Sequence, residues 1–190
     1  MTTSVRPLSE ATWDDLQIIF GTRGPAARCQ CQRFKLRPRE AFGKFPAEVR
    51  AARLREQGEC GLLGYLDGEP AGWCAAEPRP AYGGLVRNNR VPWEGRGEDR
   101  ADATVWAVTC FFTRAGFRRR GVGRELARAV VGHARERGAR AVEGYPMTTT
   151  DALLEELHPG TAGMFLAAGF VEVSRPSVRR AVMRIDFPAA

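Results

Sequence analysis

The chain has 190 residues, a hydrophobic fraction of 44 %, a charged fraction of 27 % and a formal net charge of +7. That length and balance suit one soluble globular domain over 1–190, and no apolar run approaches the roughly 20 residues that span a bilayer. The N-terminal Met-Thr-Thr-Ser-Val-Arg-Pro has no apolar signal core, so a cytoplasmic protein without membrane contact is expected. Only Lys35 and Lys44 of the 29 basic residues are lysine; the rest are arginine. Such a surface attracts anions at long range, but no motif that reads bases accompanies it, and nucleic acid is not the expected partner. The five cysteines, at 29, 31, 60, 74 and 110, do not form a disulfide framework. Cys29-Gln-Cys31 could begin a metal site, but His133 and His158 are the only imidazoles and no second cysteine pair has ligand spacing. No metal is expected.

In chain order, residues 2–7 read as a first strand. Thr12 caps a helix, with Asp15 three residues on as an approximate capping box. Trp13, Leu16 and Phe20 share its face, and Gly21 ends it. Residues 22–45 are irregular and basic. A helix runs from Pro46 to about Gln57, closed by Gly58. Cys60–Leu66 and Ala71–Glu77 form a hairpin around Asp67-Gly68. Residues 78–103, rich in proline, glycine and charge, read as a long loop.

Residues 104–113 are nearly all apolar or β-branched, as in a strand buried on both faces. A helix from about 122 to 137 places Val122, Leu126, Val130 and Ala134 at four-residue steps and stops at Gly138. Ala141–Tyr145 is a second central strand, ended by Pro146. Residues 147–160 are a connection, with a candidate helical stretch at 151–157. Thr161 caps a short helix through Ala168, with Gly169 as its stop. Val171–Ser174 and Ala181–Phe187 close the chain as an antiparallel pair. The order β-α-α-β-β-β-α-β-α-β-β predicts an α+β fold whose sheet carries helices on both faces.

The chemistry concentrates where the 104–113 strand enters the next helix. Arg118-Arg119-Arg120-Gly121-Val122-Gly123-Arg124 is a basic turn in which glycine lets a phosphate oxygen approach main-chain N–H groups. The helix start adds roughly half a positive charge, and arginines add charge-assisted bonds. It is not the dinucleotide fingerprint, because Leu126 stands where a third glycine is needed. It is not the nucleoside triphosphate loop either, which needs Gly-Lys-Ser/Thr.

Arg118-x-x-Gly121-x-Gly123 between a strand and a helix resembles the signature of the GNAT superfamily of N-acetyltransferases. Thr161-Ala-Gly-Met-Phe165-Leu-Ala-Ala-Gly169-Phe170 resembles that family's later Ala-x-x-x-Tyr-x-x-x-Gly-Phe element. Element order supports the resemblance over about 60–186. It implies a mixed, mostly antiparallel seven-stranded sheet flanked by helices, the acyl-CoA N-acyltransferase fold, with strands four and five splayed. It implies acetyl-CoA as cosubstrate, with Phe111, Phe112 and Thr113 offering backbone to the pantetheine arm. Arg118 through Arg124, with Gly121, Val122 and Gly123, would hold the pyrophosphate, and a backbone N–H near Phe111 would polarise the thioester carbonyl. It implies an amine acceptor on a small molecule or peptide, direct acetyl transfer, and a homodimer as one assembly.

The family's usual base and acid positions are empty: Trp106-Ala107-Val108 holds no carboxylate, and Phe165 replaces a tyrosine. Glu143, a carboxylate inside an apolar strand, is the candidate base with a raised pKa, unless it pairs with one of the arginines. Tyr145 is the candidate acid or substrate wall, unless it is a core aromatic with its OH at the rim. Cys110 reads as an inert strand thiol rather than an acyl carrier. Glu98, Asp99 and Asp102 are either a greeting patch for an ammonium or a solvated cluster. Trp73, Trp106 and His133 read as core, and Arg179-Arg180 as a solvated strand end. A non-catalytic acyl-CoA-binding module on the same fold is the alternative function.

Overall fold

The computed structural model describes residues 1–188, with main chain alone at Leu154 and Glu155. Seven strands form one sheet: β1 Thr3–Pro7, β2 Gly61–Leu66, β3 Glu69–Pro78, β4 Val105–Thr113, β5 Ala141–Gly144, β6 Val171–Ser177 and β7 Arg180–Asp186. They lie in the order β1-β2-β3-β4-β5-β7-β6. Only β4 and β5 run parallel; every other neighbouring pair is antiparallel. The helices are α1 Trp13–Phe20, α2 Pro25–Cys29, α3 Ala47–Glu56, α4 Gly83–Asn88, α5 Val122–Glu136 and α6 Ala162–Ala167.

The expected start of α1 is present: Thr12 Oγ1 accepts from the Asp15 N–H at 3.1 Å, and Leu16, Ile19 and Phe20 are buried. The capping box is only half made, because the Asp15 carboxylate accepts from the Tyr65 hydroxyl at 2.9 Å instead. Phe20 meets Trp73 and Phe112 edge-on at 6.0 and 6.2 Å, which seals one face of the sheet.

On the other face, α5 buries Val122, Leu126, Val130 and Ala134, the four positions its periodicity marked. Burying each of the larger ones contributes about 1.5–3 kcal/mol. The close seat depends on two small residues. A Cβ at Gly72 would stand 2.6 Å from Val122 Cγ1, and one at Gly64 would stand 3.1 Å from it. Trp106 and His133 are buried edge to face at 5.6 Å, and Trp73 is fully buried, as core residues should be. Burial lowers the His133 pKa.

Residues 78–103 are not a plain loop. A 3-10 turn at Arg79–Ala81 leads into α4. Tertiary burial overrides the two glycines that argue against a helix there: Tyr82 and Leu85 pack with Ala107, Tyr145 and Val182, and the Gly84 N–H donates to Phe34 O at 2.8 Å. Among the described residues no helix is long and apolar enough to cross a membrane.

Candidate active site

β4 and β5 pair only from Val105–Val108 to Ala141–Gly144. β5 then ends, while β4 continues beside β3 to Thr113. A bulge at Thr109 separates the two stretches: Val108 faces Ala76 and Cys110 faces Ala75, so Thr109 has no opposite residue. A bulge bends its strand and increases local twist. The parallel pair therefore opens into a V, as expected.

Residues 147–160 cross the mouth of that V. Met147 N–H donates to Gly160 O at 3.0 Å, and Ala162 N–H to Met147 O at 2.9 Å. Phe111 N–H donates to His158 O at 2.6 Å. The amide expected near Phe111 to polarise a carbonyl is thus already engaged if it is that of Phe111 itself. Alternate amides share one edge of a strand, so the Thr113 N–H faces the same side. Arg118 Nε lies 3.5 Å from Thr113 O, at the same edge.

At the start of α5, Gly121 has φ +87, a left-handed conformation that glycine adopts without steric cost. No atom lies within 4 Å of where its Cβ would be. The Gly121 carbonyl accepts from the N–H groups of Arg124 and Glu125 at 2.9 and 3.1 Å, which begins the helix. The N–H of Arg124 is therefore used within the turn. Those of Gly121, Val122 and Gly123 make no main-chain hydrogen bond among the described residues. The side chains of Arg118, Arg119, Arg120 and Arg124 are exposed and make no ion pair among the described residues. Glu125, the one acid in the first turn, pairs with Arg128 at 2.7 Å. Open N–H groups, a helix start and unneutralised arginines together form an anion site.

A cavity of about 1230 Å³ runs from this turn over the free half of β4 to α1 and α2. Phe111, Phe112, Thr113, Arg118, Arg119 and Gly123 line it. Arg120, Gly121, Val122 and Arg124 do not; Val122 instead buries its side chain under the sheet. The far wall holds Asp14, Gln17, Arg23, Arg33 and His158, together with Cys29, Cys31 and Cys110. Thiols distant in sequence meet there through the register of β4 against the turn after α2, which no spacing rule reveals.

The two side chains expected to do acid–base work lie elsewhere. Glu143 is fully buried on β5, and neither it nor Tyr145 lines the cavity. Its carboxylate accepts from Arg79 at 2.9 Å, Arg96 at 2.8 Å, Arg184 at 3.0 Å and the Tyr145 hydroxyl at 2.8 Å. Burial alone would raise its pKa. The hydrogen bonds and charges of Arg96 and Arg79 outweigh burial and set it below 4.5. The expected raised pKa is therefore corrected: Glu143 is an arginine-locked anion. Burial, then the adjacent Glu143 charge, pushes the Tyr145 pKa well up. Glu98 joins the same cluster at 3.5, 3.4 and 3.5 Å from Arg79, Arg96 and Arg184. Asp102 pairs with Arg140 at 2.7 Å. Its hydrogen bond from Thr104, then that from Arg140, bring its pKa to about 2. Arg180 is not a solvated end: it donates to Tyr145 O at 2.8 Å, and burial lowers its pKa. Phe165, at the family's tyrosine position, is fully buried against Phe111 and Phe170.

Comparison with known structures agrees with this architecture. The structure of yncA from Salmonella typhimurium with its cofactor acetyl-CoA matches at 13 % identity and a TM-score of 0.57, over 98 % of this chain and 94 % of that one. An N-acetyltransferase from Staphylococcus aureus Mu50 matches at 13 % identity and 0.54, over 98 % and 99 %. The ribosomal-protein-S18-alanine N-acetyltransferase from Escherichia coli matches at 12 % identity and 0.52, over 100 % and 96 %. At these identities the likeness is one of fold. No curated protein matches the chain by sequence. The profile of the acetyltransferase (GNAT) family matches residues 27–152, more than half of the chain. With its seven-stranded mixed sheet, its splayed β4 and β5 and its open anion turn, the chain belongs to the acetyltransferase (GNAT) family.

Proposed function

We propose that this protein is an acetyl-CoA-dependent N-acetyltransferase that moves the acetyl group directly to an amine on a small molecule or peptide. One observation carries the proposal: main-chain N–H groups at Gly121–Gly123 without a main-chain partner, and four arginines without an acidic partner among the described residues, stand beside a cavity that Arg118, Arg119 and Gly123 line and that follows β4 past the end of β5. The donor set suits a diphosphate, since charge-assisted and main-chain N–H bonds both favour phosphate oxygens. Arg118, Arg119 and the amides of Gly121–Gly123 would hold the pyrophosphate, and Thr113 on β4 would offer backbone to the pantetheine arm. When bound, acetyl-CoA supplies the acetyl group as an activated thioester.

The far wall would receive the acceptor. Asp14 offers a carboxylate to an ammonium on a wall that also carries Arg23 and Arg33, and Ile18 and Phe20 give it apolar surface. The proton lost by the amine passes to solvent or to an ionisable group on that wall, Asp14 and His158 among them. Neither Glu143 nor Tyr145 takes that part.

The supporting experiment measures CoA release from acetyl-CoA across a panel of amines. Release that depends on an amine supports the proposal. Failure to bind acetyl-CoA at high micromolar concentration ends it. Binding without turnover selects the second reading, a non-catalytic acyl-CoA-binding module. That reading draws on two observations: the locked carboxylate of Glu143, and Phe165 at the family's tyrosine position.

A further inference from the structure

We propose that Cys31 and Cys110 form an oxidisable dithiol in the cavity wall, which closes into a disulfide by exchange with a small-molecule disulfide. Neither the family nor the acetyl-transfer proposal requires this chemistry, and it stands independently of both. Both residues line the cavity and are half-buried, whereas Cys60 and Cys74 are buried in the core and do not line it. Cys31 and Cys110 pack against the same cluster beside Trp73 and Phe112, and their thiols are in contact.

Trp73 orders the pair. Its indole N–H donates to Cys31 Sγ at 3.0 Å, and the indole is fully buried, so this donor is fixed in place. The contact with Cys110, then burial, pushes the Cys31 pKa well up, so Cys31 keeps its proton. Cys110, on the β4 wall of the same cavity, is placed to meet an oxidant that enters it.

The two cysteines sit on different kinds of backbone. Cys110 sits on β4 next to the Thr109 bulge. Cys31 follows the end of α2, where Gln30 and Cys31 have φ +48 and +51, outside any strand or helix. That segment pairs with no strand, so a bridge there need not break the sheet. A bridge would tie the turn after α2 to β4 and fix the acceptor side of the cavity. Disulfides in reducing compartments are typically transient and redox-sensing.

The exchange balances. The Cys110 thiolate attacks one sulfur of a disulfide such as oxidised glutathione, forming a mixed disulfide and releasing one glutathione thiolate. Cys31 then loses its proton to that thiolate or to solvent and attacks the Cys110 sulfur, expelling the second glutathione thiolate. Two protein thiols are oxidised and one disulfide is reduced to two thiols.

The test incubates the reduced full-length protein with oxidised glutathione, alkylates the remaining thiols under denaturing conditions and maps peptides without reduction. The expected result is loss of two alkylatable thiols and a crosslink between the Cys29–Arg33 peptide and the Cys110 peptide. Because Cys29 and Cys31 share that peptide, variants assign the partner. Cys29→Ser should still form the bridge. Cys31→Ser should stop at a glutathione adduct on Cys110, and Cys110→Ser should form no bridge. No crosslink in the wild type, a crosslink that survives Cys31→Ser, or one that is lost in Cys29→Ser would overturn the proposal.

Discussion

Replacing Gly121 by aspartate tests the anion turn where the structure leaves it most exposed. The position has φ +87, so any side chain brings a backbone cost of about 1–2 kcal/mol. Nothing lies within 4 Å of the new Cβ, so there is no clash to add. The backbone cost is present in the free and bound protein alike and lowers stability without lowering affinity. The charge acts differently. A carboxylate about 4 Å from a phosphate charge opposes it by roughly 1 kcal/mol in bulk water and about 4 kcal/mol at an effective dielectric near 20. At about 1.4 kcal/mol per decade, affinity for acetyl-CoA should fall about five- to several-hundred-fold. Gly121→Ala carries the same backbone cost without the charge and should bind within a few-fold of wild type. Isothermal titration gives the dissociation constants, and thermal unfolding confirms that both variants fold. Equal affinities for the aspartate and alanine variants, each cooperatively folded, would refute the placement of a diphosphate at this turn.

The buried ionic cluster makes its own predictions. Glu143→Gln removes the charge that three arginines share, and breaking a buried pair in this way costs about 3–5 kcal/mol, measurable by denaturant unfolding. Acetyl-CoA affinity should be unchanged; lost turnover at unchanged stability would instead restore Glu143 as a base. Because its folded pKa lies below 4.5, Glu143 contributes stability that is complete above the ordinary carboxylate range and is lost as pH falls through the lower folded value. The stability gap between wild type and Glu143→Gln should therefore be flat near neutral pH and shrink only in acid; a gap that changes near neutrality would contradict the arginine lock. Gly144→Ala would place a methyl 2.3 Å from two ring atoms of Phe165, which is held edge-on at 5.7 Å from Phe111 and 4.9 Å from Phe170. The ring has nowhere to retreat, and a loss of about 1–3 kcal/mol is expected in thermal unfolding.

The periodic segments were legible because their signals are local. Val122, Leu126, Val130 and Ala134 report one helix face, Thr12 a cap, and the apolar run at 104–113 a buried strand. α4 was hidden because Gly83 and Gly84 disfavour a helix in isolation, and the burial of Leu85 that overrides them is tertiary. The anion turn was visible because strand, glycine turn and helix are contiguous. Half of the cavity was not, since Asp14, Cys31 and Cys110 meet only through the fold. Glu143 shows the limit most clearly. A carboxylate in an apolar strand is either a perturbed acid or one member of an ion cluster. Its partners Arg79, Arg96 and Arg184 come from three other parts of the chain, so composition raised the odds of pairing but could not name them.

The arginines divide by location, and that division gives the net charge of +7 a local meaning. Arg79, Arg96 and Arg184 surround Glu143 and Glu98, so their charges are largely cancelled inside the protein. Arg53 is matched by Glu40 at 2.8 Å, and Arg140 by Asp102. Among the described residues the four arginines around Gly121 have no such match, and the helix start adds to their field. Arg118 and Arg119 thus bring part of the uncancelled charge to one end of the cavity. A field of this kind steers a polyanion toward one end of the groove and raises its on-rate. For a ligand such as a coenzyme, with phosphates at one end and a reactive group at the other, capture at the turn fixes direction: the uncharged end is left to run along the free edge of β4 toward the far wall.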